Sequence, residues 1–390
     1  LNDVVGSGAK LTVDALRVIQ SGTVELASGH IEFNAKGDGS GLASVVFDEG
    51  SKTSVAGWQS KQNGQVVAVA PGGLITAKAE SGAIEWLGEL DAHVPDTGKL
   101  TQVGVAAGQV VLSTPATDGG LKVGSNASIK GQAATDALSG SLAVDAFVLR
   151  GETDTDNALG MIADKLRDGG VFREVAIRDR SDDLVLNKNL KADRVVLSAD
   201  AGDLTVAANV VIDATAERGG FVKLAAGKDL ILKSGAVIQA DSDAQSGANG
   251  GDVLLSSTNG RVRLESGSTI SAKGDDAQDG RVVVRAKAEN LQDGGLLQAK
   301  VTAGQYQAEA VQAYDMVAGD AAFMQTSKVE STGKITKVEI VGKDPKNAKN
   351  LIVRTSTGDG VKTERKVIKV DPVTGLKTES VELVFFGFKA

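Results

Sequence analysis

Cysteine is absent from this 390-residue chain. That excludes disulfides, thiol catalysis and Cys-based metal sites. Proline is scarce, at 5 residues, and aromatics make up only 3 %. A large globular enzyme normally carries more aromatic mass in its core. There are two histidines, His30 and His93. They are far apart and lack ligand partners at useful spacing, so both read as surface or turn residues. The sequence has no Gly-x-Ser-x-Gly elbow, no phosphate-binding Gly loop with Lys and no His-Glu-x-x-His. Basic residues form no stripe and the net charge is −8. Nucleic-acid binding and polybasic membrane docking therefore have little electrostatic support. No apolar run approaches the ~20 residues of a transmembrane helix, and membrane insertion is not expected.

The chain does contain 48 Gly and 42 % hydrophobic residues, mostly Val, Leu, Ile and Ala. A single compact core stops growing at a few hundred residues, whereas a repeat array escapes that limit. Small branched side chains suit many thin β-layers.

An internal repeat supports this. Gly219-Gly220-Phe221-Val222-Lys223-Leu224 recurs 31 residues later as Gly250-Gly251-Asp252-Val253-Leu254-Leu255. Asp229-Leu230-Ile231-Leu232 and Gly235-Ala236-Val237-Ile238 recur 32 residues later, at Arg261 and Gly267. A further pass starts at Gly280, and a shorter one covers Arg194 to Ala214. Each unit holds three alternating runs parted by Gly, Asn or Asp, the residues that turns favour. The pattern predicts an all-β fold: a right-handed parallel β-helix (solenoid), the handedness following the crossover rule. Less regular coils are expected over 1–150 and regular ones over 151–290. A short helix is expected near 156–167, with Asp156 as N-cap and Gly169 as stop. Residues 291–390 read as a β-rich cap, junction or assembly region.

The stretch 155–290 resembles the secreted filamentous-haemagglutinin-like adhesins, which are two-partner secretion exoproteins. The phrases that carry the likeness are Leu166 to Gly170, Val175-Ala176-Ile177, Ser181-Asp182-Asp183-Leu184-Val185-Leu186 and the Gly-led coils above. Gly73-Leu74-Ile75-Thr76-Ala77 and Gly82-Ala83-Ile84-Glu85 share the same turn-and-strand grammar. The family's Asn-Pro-Asn-Gly secretion phrase is absent, so this piece is expected downstream of that module or in a divergent relative. The resemblance implies a structural stalk or repeat segment of a surface adhesin or matrix fibre. It also implies a secreted or cell-surface location and an outer-membrane transporter as partner during export. Neighbouring modules, copies of the chain itself, and host or matrix polysaccharide are the other expected partners.

Two alternatives stand beside the stalk: a self-assembling fibre subunit, and a β-helix polysaccharide lyase or hydrolase. Catalytic carboxylates would have to come from Glu85, Glu89 and Asp91 around Trp86, a candidate sugar platform. The other source would be Asp179, Asp182 and Asp183 beside Arg178 and Arg180. Ordinary outward charges are the favoured reading of both groups, and no enzymatic activity is expected. No cofactor is expected. Calcium is the one ion that Asp241/Asp243, Asp275/Asp276/Asp279 or Asp154/Asp156 could hold, though solvated turns explain them as well. Phe385, Phe386 and Phe388 crowd the C-terminal end of an aromatic-poor chain. They are candidates for an assembly contact, or for a cap strand folded back on the last coils.

Overall fold

A computed structural model describes residues 4–95, 104–153, 157–243, 247–275, 277–287, 297–317, 338–344, 347–355, 361–370 and 377–386. The chain is mostly β, with 47 % in strands and, among the described residues, one α-helix. Its main body is organised as successive units of one long and two short strands. Each strand pairs in parallel with the equivalent strand of the next unit.

The long strands form a sheet of thirteen. It begins with Lys10–Ala15, His30–Ala35, Leu74–Ala79, Gln109–Thr114, Ser141–Ala146 and Glu174–Asp179. It continues through Arg194–Ala199, Phe221–Ala226, Asp252–Ser257, Arg281–Lys287 and Gln305–Val317. All of these run parallel. Lys377–Phe386 and Val361–Val370 then close the sheet in antiparallel fashion.

Register turns the alternating sequence into stacked columns. Ile31, Ile75, Val110, Leu142, Val175, Val195, Val222, Val253 and Val282 are successive partners, and all are buried. Phe33, Ala77, Leu112, Val144, Ile177, Leu197, Leu224, Leu255 and Val284 form a second such column. A slip of one residue would turn both columns to solvent, so burial pins the register. The columns belong to one continuous hydrophobic core running from Val18 to Ala286.

The short strands form two further faces, in two sets. Before the helix, one set runs from Val4–Ser7 to Ser128–Lys130 and the other from Val18–Gln20 to Leu149–Arg150. After it, the sets run from Leu184–Leu186 to Val262–Leu264 and from Leu190–Lys191 to Lys300–Thr302.

The helix, α1 (Ala158–Gly169), stands where its unit would have a short strand. It buries Leu159, Ile162, Ala163 and Leu166, a stripe at helical spacing. The N-cap is Asn157, whose side chain accepts the Gly160 N–H at 2.6 Å. The expected cap Asp156 lies outside the described residues. The stop falls one residue later than expected. Gly169 is still helical, and Gly170 takes the left-handed conformation (φ 65°) that ends helices. Lys165 ties α1 to the preceding unit by donating to the carbonyls of Ser125 (2.9 Å) and Ala127 (2.7 Å). Burial lowers its pKa from the usual lysine value.

One antiparallel hairpin interrupts the units. Gln59–Gln62 and Gln65–Val69 pair around Asn63-Gly64, both at positive φ, as a tight hairpin turn demands.

Candidate functional site

Two of the three carboxylates around Trp86 are the ordinary outward charges favoured from the sequence, and the third is not. Trp86 is fully buried in a short-face column with Phe47 and Val123, and donates its indole N–H to the Gly88 carbonyl at 3.1 Å. It is core rather than sugar platform, because its strand position faces inward. Glu85 and Glu89 point outward and pair with Lys122 (3.8 Å) and Lys130 (2.8 Å). Asp91 differs from the expectation of an ordinary outward charge, since it is 1 % exposed.

Asp91 meets His93 Nδ1 at 2.6 Å, Ser54 Oγ at 3.3 Å and Lys52 Nζ at 3.6 Å. Burial pushes the Asp91 pKa up, but the His93 hydrogen bonds and charge, with Lys52, outweigh it and hold it below the usual value. His93, expected as a surface or turn residue, is partly exposed and has its Nδ1 anchored by Asp91. Its carbonyl accepts the Gly57 N–H at 2.8 Å, next to the neck of the hairpin.

Asp179 is likewise buried, in the inward column that holds Ala146 and Ala199 in the adjacent units. Its carboxylate accepts the backbone N–H groups of Leu149 (2.7 Å), Asp182 (2.8 Å) and Ser181 (3.0 Å). Burial raises its pKa above the usual value despite those bonds. It braces a turn and joins two units. Arg180 grips Asp145 through two nitrogens, at 2.7 and 2.9 Å, and Arg178 bonds Asp200. Asp183 accepts the Asp203 N–H. The set is thus distributed over structural bonds and does not converge on a common point.

The Asp-rich turns follow the same logic. Asp241 accepts from Ser271 Oγ and the Lys273 N–H, both at 2.6 Å. Asp275 accepts from Gly247 N–H, and Asp279 from Gly274 N–H. Asp154, Asp156 and Asp276 lie outside the described residues. Among the described residues no three His, Asp or Glu side chains are grouped so as to hold a metal ion.

A different feature has the shape of a site. Gly29, Gly73, Gly108 and Gly140 each precede a long strand and stack at one corner. A Cβ on Gly73 would lie 1.9 Å from the Gly29 carbonyl oxygen, and one on Gly108 2.0 Å from that of Gly73. The stacking therefore demands glycine, and a trough of about 530 Å³ runs beside this corner. Lys10, Ser28, His30, Gln109 and Arg173 stand along it. The His30 Nε2 is shut off from solvent and has no hydrogen-bond partner. The hairpin's neck borders the trough, where Ser28 Oγ donates to the Pro71 carbonyl at 2.7 Å. Trp58 pairs across that neck with Ala70 and is 43 % exposed. The sequence signal was the Gly before these four long strands, which reads as turn punctuation until strands are stacked.

At the C-terminal end, Phe385 lies opposite Ala310 on one side and Lys362 on the other, and Phe386 opposite Val361. Their strand is thus paired along both edges within the chain. Phe388 lies outside the described residues. Among the described residues no helix is long and apolar enough to cross a membrane.

No family model matches the chain, and neither the curated proteins nor the solved structures contain a match.

Proposed function

We propose that the chain is a right-handed parallel β-helix serving as a non-enzymatic stalk in a secreted, filamentous-haemagglutinin-like surface adhesin or matrix fibre. The observation that carries this reading is the ladder of eleven parallel long strands, each paired with its equivalent one unit on. Stacked at about 4.8 Å per coil, such a ladder spans roughly 50 Å. A solenoid of this kind adds length at a fixed increment and contacts only its neighbours. Its charged outward residues are occupied in binding one coil to the next, as with Arg178–Asp200 and Arg194–Glu174. Export through an outer-membrane transporter fits the chain's lack of cysteine.

The stalk is favoured over a self-assembling fibre by the far edge of the long sheet. That edge strand, Val361–Val370, contains Lys362, Arg365, Lys366 and Lys369. Charges on an edge strand, lysine above all, oppose pairing with another copy. Immunogold labelling of cells producing the full-length protein tests the proposal. Label on the cell surface or in the matrix, at a distance from the membrane, is the expected outcome. Label confined to the cell interior would overturn it.

A further inference from the structure

We infer that Asn63, at the tip of the hairpin formed by Gln59–Gln62 and Gln65–Val69, is a site of spontaneous deamidation through a cyclic imide, with water as the only co-reactant. The inference is independent of the stalk reading, because it concerns the chemistry of one turn.

The chain contains three Asn-Gly pairs, at Asn63, Asn249 and Asn259. In such a pair the side-chain amide is most open to attack by the following backbone nitrogen, because glycine brings no Cβ to obstruct it. The structure separates the three. Gly250 donates its N–H to the Gln278 carbonyl at 2.9 Å, and Asn249 Oδ1 accepts the Gln278 N–H at 3.2 Å. Gly260 donates its N–H to Ser257 Oγ at 2.9 Å, and Asn259 donates its own to the Gly227 carbonyl at 2.9 Å. In both pairs the attacking nitrogen is occupied and the backbone is tied to a neighbouring coil.

Asn63-Gly64 has neither restraint. The two residues form the loop between Gln62 and Gln65, at φ 50° and 75°, and residues 61–65 are all exposed. Among the described residues neither the Gly64 N–H nor the Asn63 side chain has a hydrogen-bond partner. A Cβ added to Gly64 would meet nothing within 4 Å. The hairpin is a two-stranded sheet of its own, joined to none of the coil sheets. A ribbon of that size is only marginally stable, so its tip opens readily and lets Gly64 N approach Asn63 Cγ.

In the first step Gly64 N loses its proton and bonds to Asn63 Cγ, while the Cγ–Nδ2 bond breaks and ammonia leaves. Water then opens the imide at either carbonyl. The product is aspartate, or an isoaspartate whose main chain runs through Cβ. Lys61 is the only charged side chain of the hairpin, so either product takes it from positive to neutral. The isoaspartate also lengthens the loop by one main-chain carbon, which the tight turn does not accommodate. The coils share no ladder with the hairpin and keep their own pairing. The hairpin thereby carries an irreversible mark of age on an otherwise unaltered body.

Hydroxylamine, which cleaves the imide, tests the inference on the whole chain, alongside peptide mass mapping of samples aged in mildly alkaline buffer. In the folded chain, cleavage and conversion at Asn63 should run at least about tenfold faster than at Asn249 or Asn259, since packed coils open far more rarely than an exposed tip. In urea the three rates should converge, because the three pairs then differ only in sequence context. Asn63→Gln should abolish the fragment pair cut between residues 63 and 64. An Asn63 that stays intact in the folded chain while converting in urea would overturn the inference. So would equal rates at the three sites in the folded chain, a difference that persists undiminished in urea, or fragments that survive Asn63→Gln.

Discussion

The carboxylate of Asp203 accepts the backbone N–H of Asp229 at 2.8 Å, across a separation of 26 residues. The Asp203 N–H is itself held by Asp183 at 2.8 Å, and Asp229 in turn accepts the Arg261 N–H at 2.7 Å. These residues stand just before paired strands, so one turn position recurs as a ladder of side-chain-to-backbone bonds. Asp203→Ala leaves the Asp229 N–H without its acceptor and should cost about 1–2 kcal/mol. Asp203→Asn keeps an acceptor oxygen and should cost less. Urea unfolding of the two variants checks this; equal loss would mean that the hydrogen bond is not what matters.

Leu232 is 1 % exposed and stacks between Val206 and Leu264. Leu232→Asp would place an unpaired charge in the core and should destabilise by about 3–5 kcal/mol. An unfolding temperature equal to that of the unchanged chain would show that the position does not face a core.

Glycines should differ by what surrounds them. Gly73→Ala drives a methyl into the Gly29 carbonyl and should cost about 1–3 kcal/mol. Gly104 has nothing within 4 Å of its notional Cβ and no positive φ. Gly104→Ala should be neutral or stabilising by about 0.5 kcal/mol, through the unfolded chain. Denaturation midpoints of the two variants would order them.

Asp193 gives the fold a pH dependence. Burial, reinforced by the charges of Asp136 and Asp213 and opposed by Lys191, raises its pKa from 3.8 to about 6. Below pH 3.8 both the folded and unfolded forms hold the proton, and the group favours neither. Between pH 3.8 and about 6 the unfolded chain releases the proton first, so folded stability falls as pH rises. Above that window the penalty is complete. Asp193→Asn should therefore be more stable than the unchanged chain at pH 7, and the advantage should vanish near pH 3.5. Urea midpoints measured across that range test the sign.

The strand Lys377–Phe386 sits between Gln305–Val317 and Val361–Val370. Deleting it would strip the partner from Gln305–Val317 and expose an open edge, which invites pairing between chains. Light scattering of the truncated chain should show aggregates. If instead the truncated chain stays monomeric and loses only an end-to-end association of the intact one, the phenylalanine-rich tail is an assembly strand.

The strand grammar was readable because alternation and Gly spacing are local properties. The repeats at Gly219 and Gly250 give the observed parallel register directly. Residue burial was less legible where strands curve around a shared interior. Trp86, Asp91 and Asp179 all occupy buried positions, yet Trp86 follows Glu85, Asp91 is itself charged, and Asp179 lies between two arginines. Whether such a residue points in or out depends on the phase of its column, which is fixed by partners about 20 to 40 residues away. The trough escaped detection for the same reason. Its floor is made of residues that are adjacent only after stacking.

Where α1 stands, both short-strand faces stop and restart with new partners, while the long face continues without a break from Ser141–Ala146 to Glu174–Asp179. Pulled end to end, the molecule would meet its load at that level with a single six-residue band of sheet bonding instead of three bands. Tension should therefore open the stack first at α1, where it would expose part of the core that the two halves share. The helix would act as a mechanical fuse, setting the force at which the molecule yields.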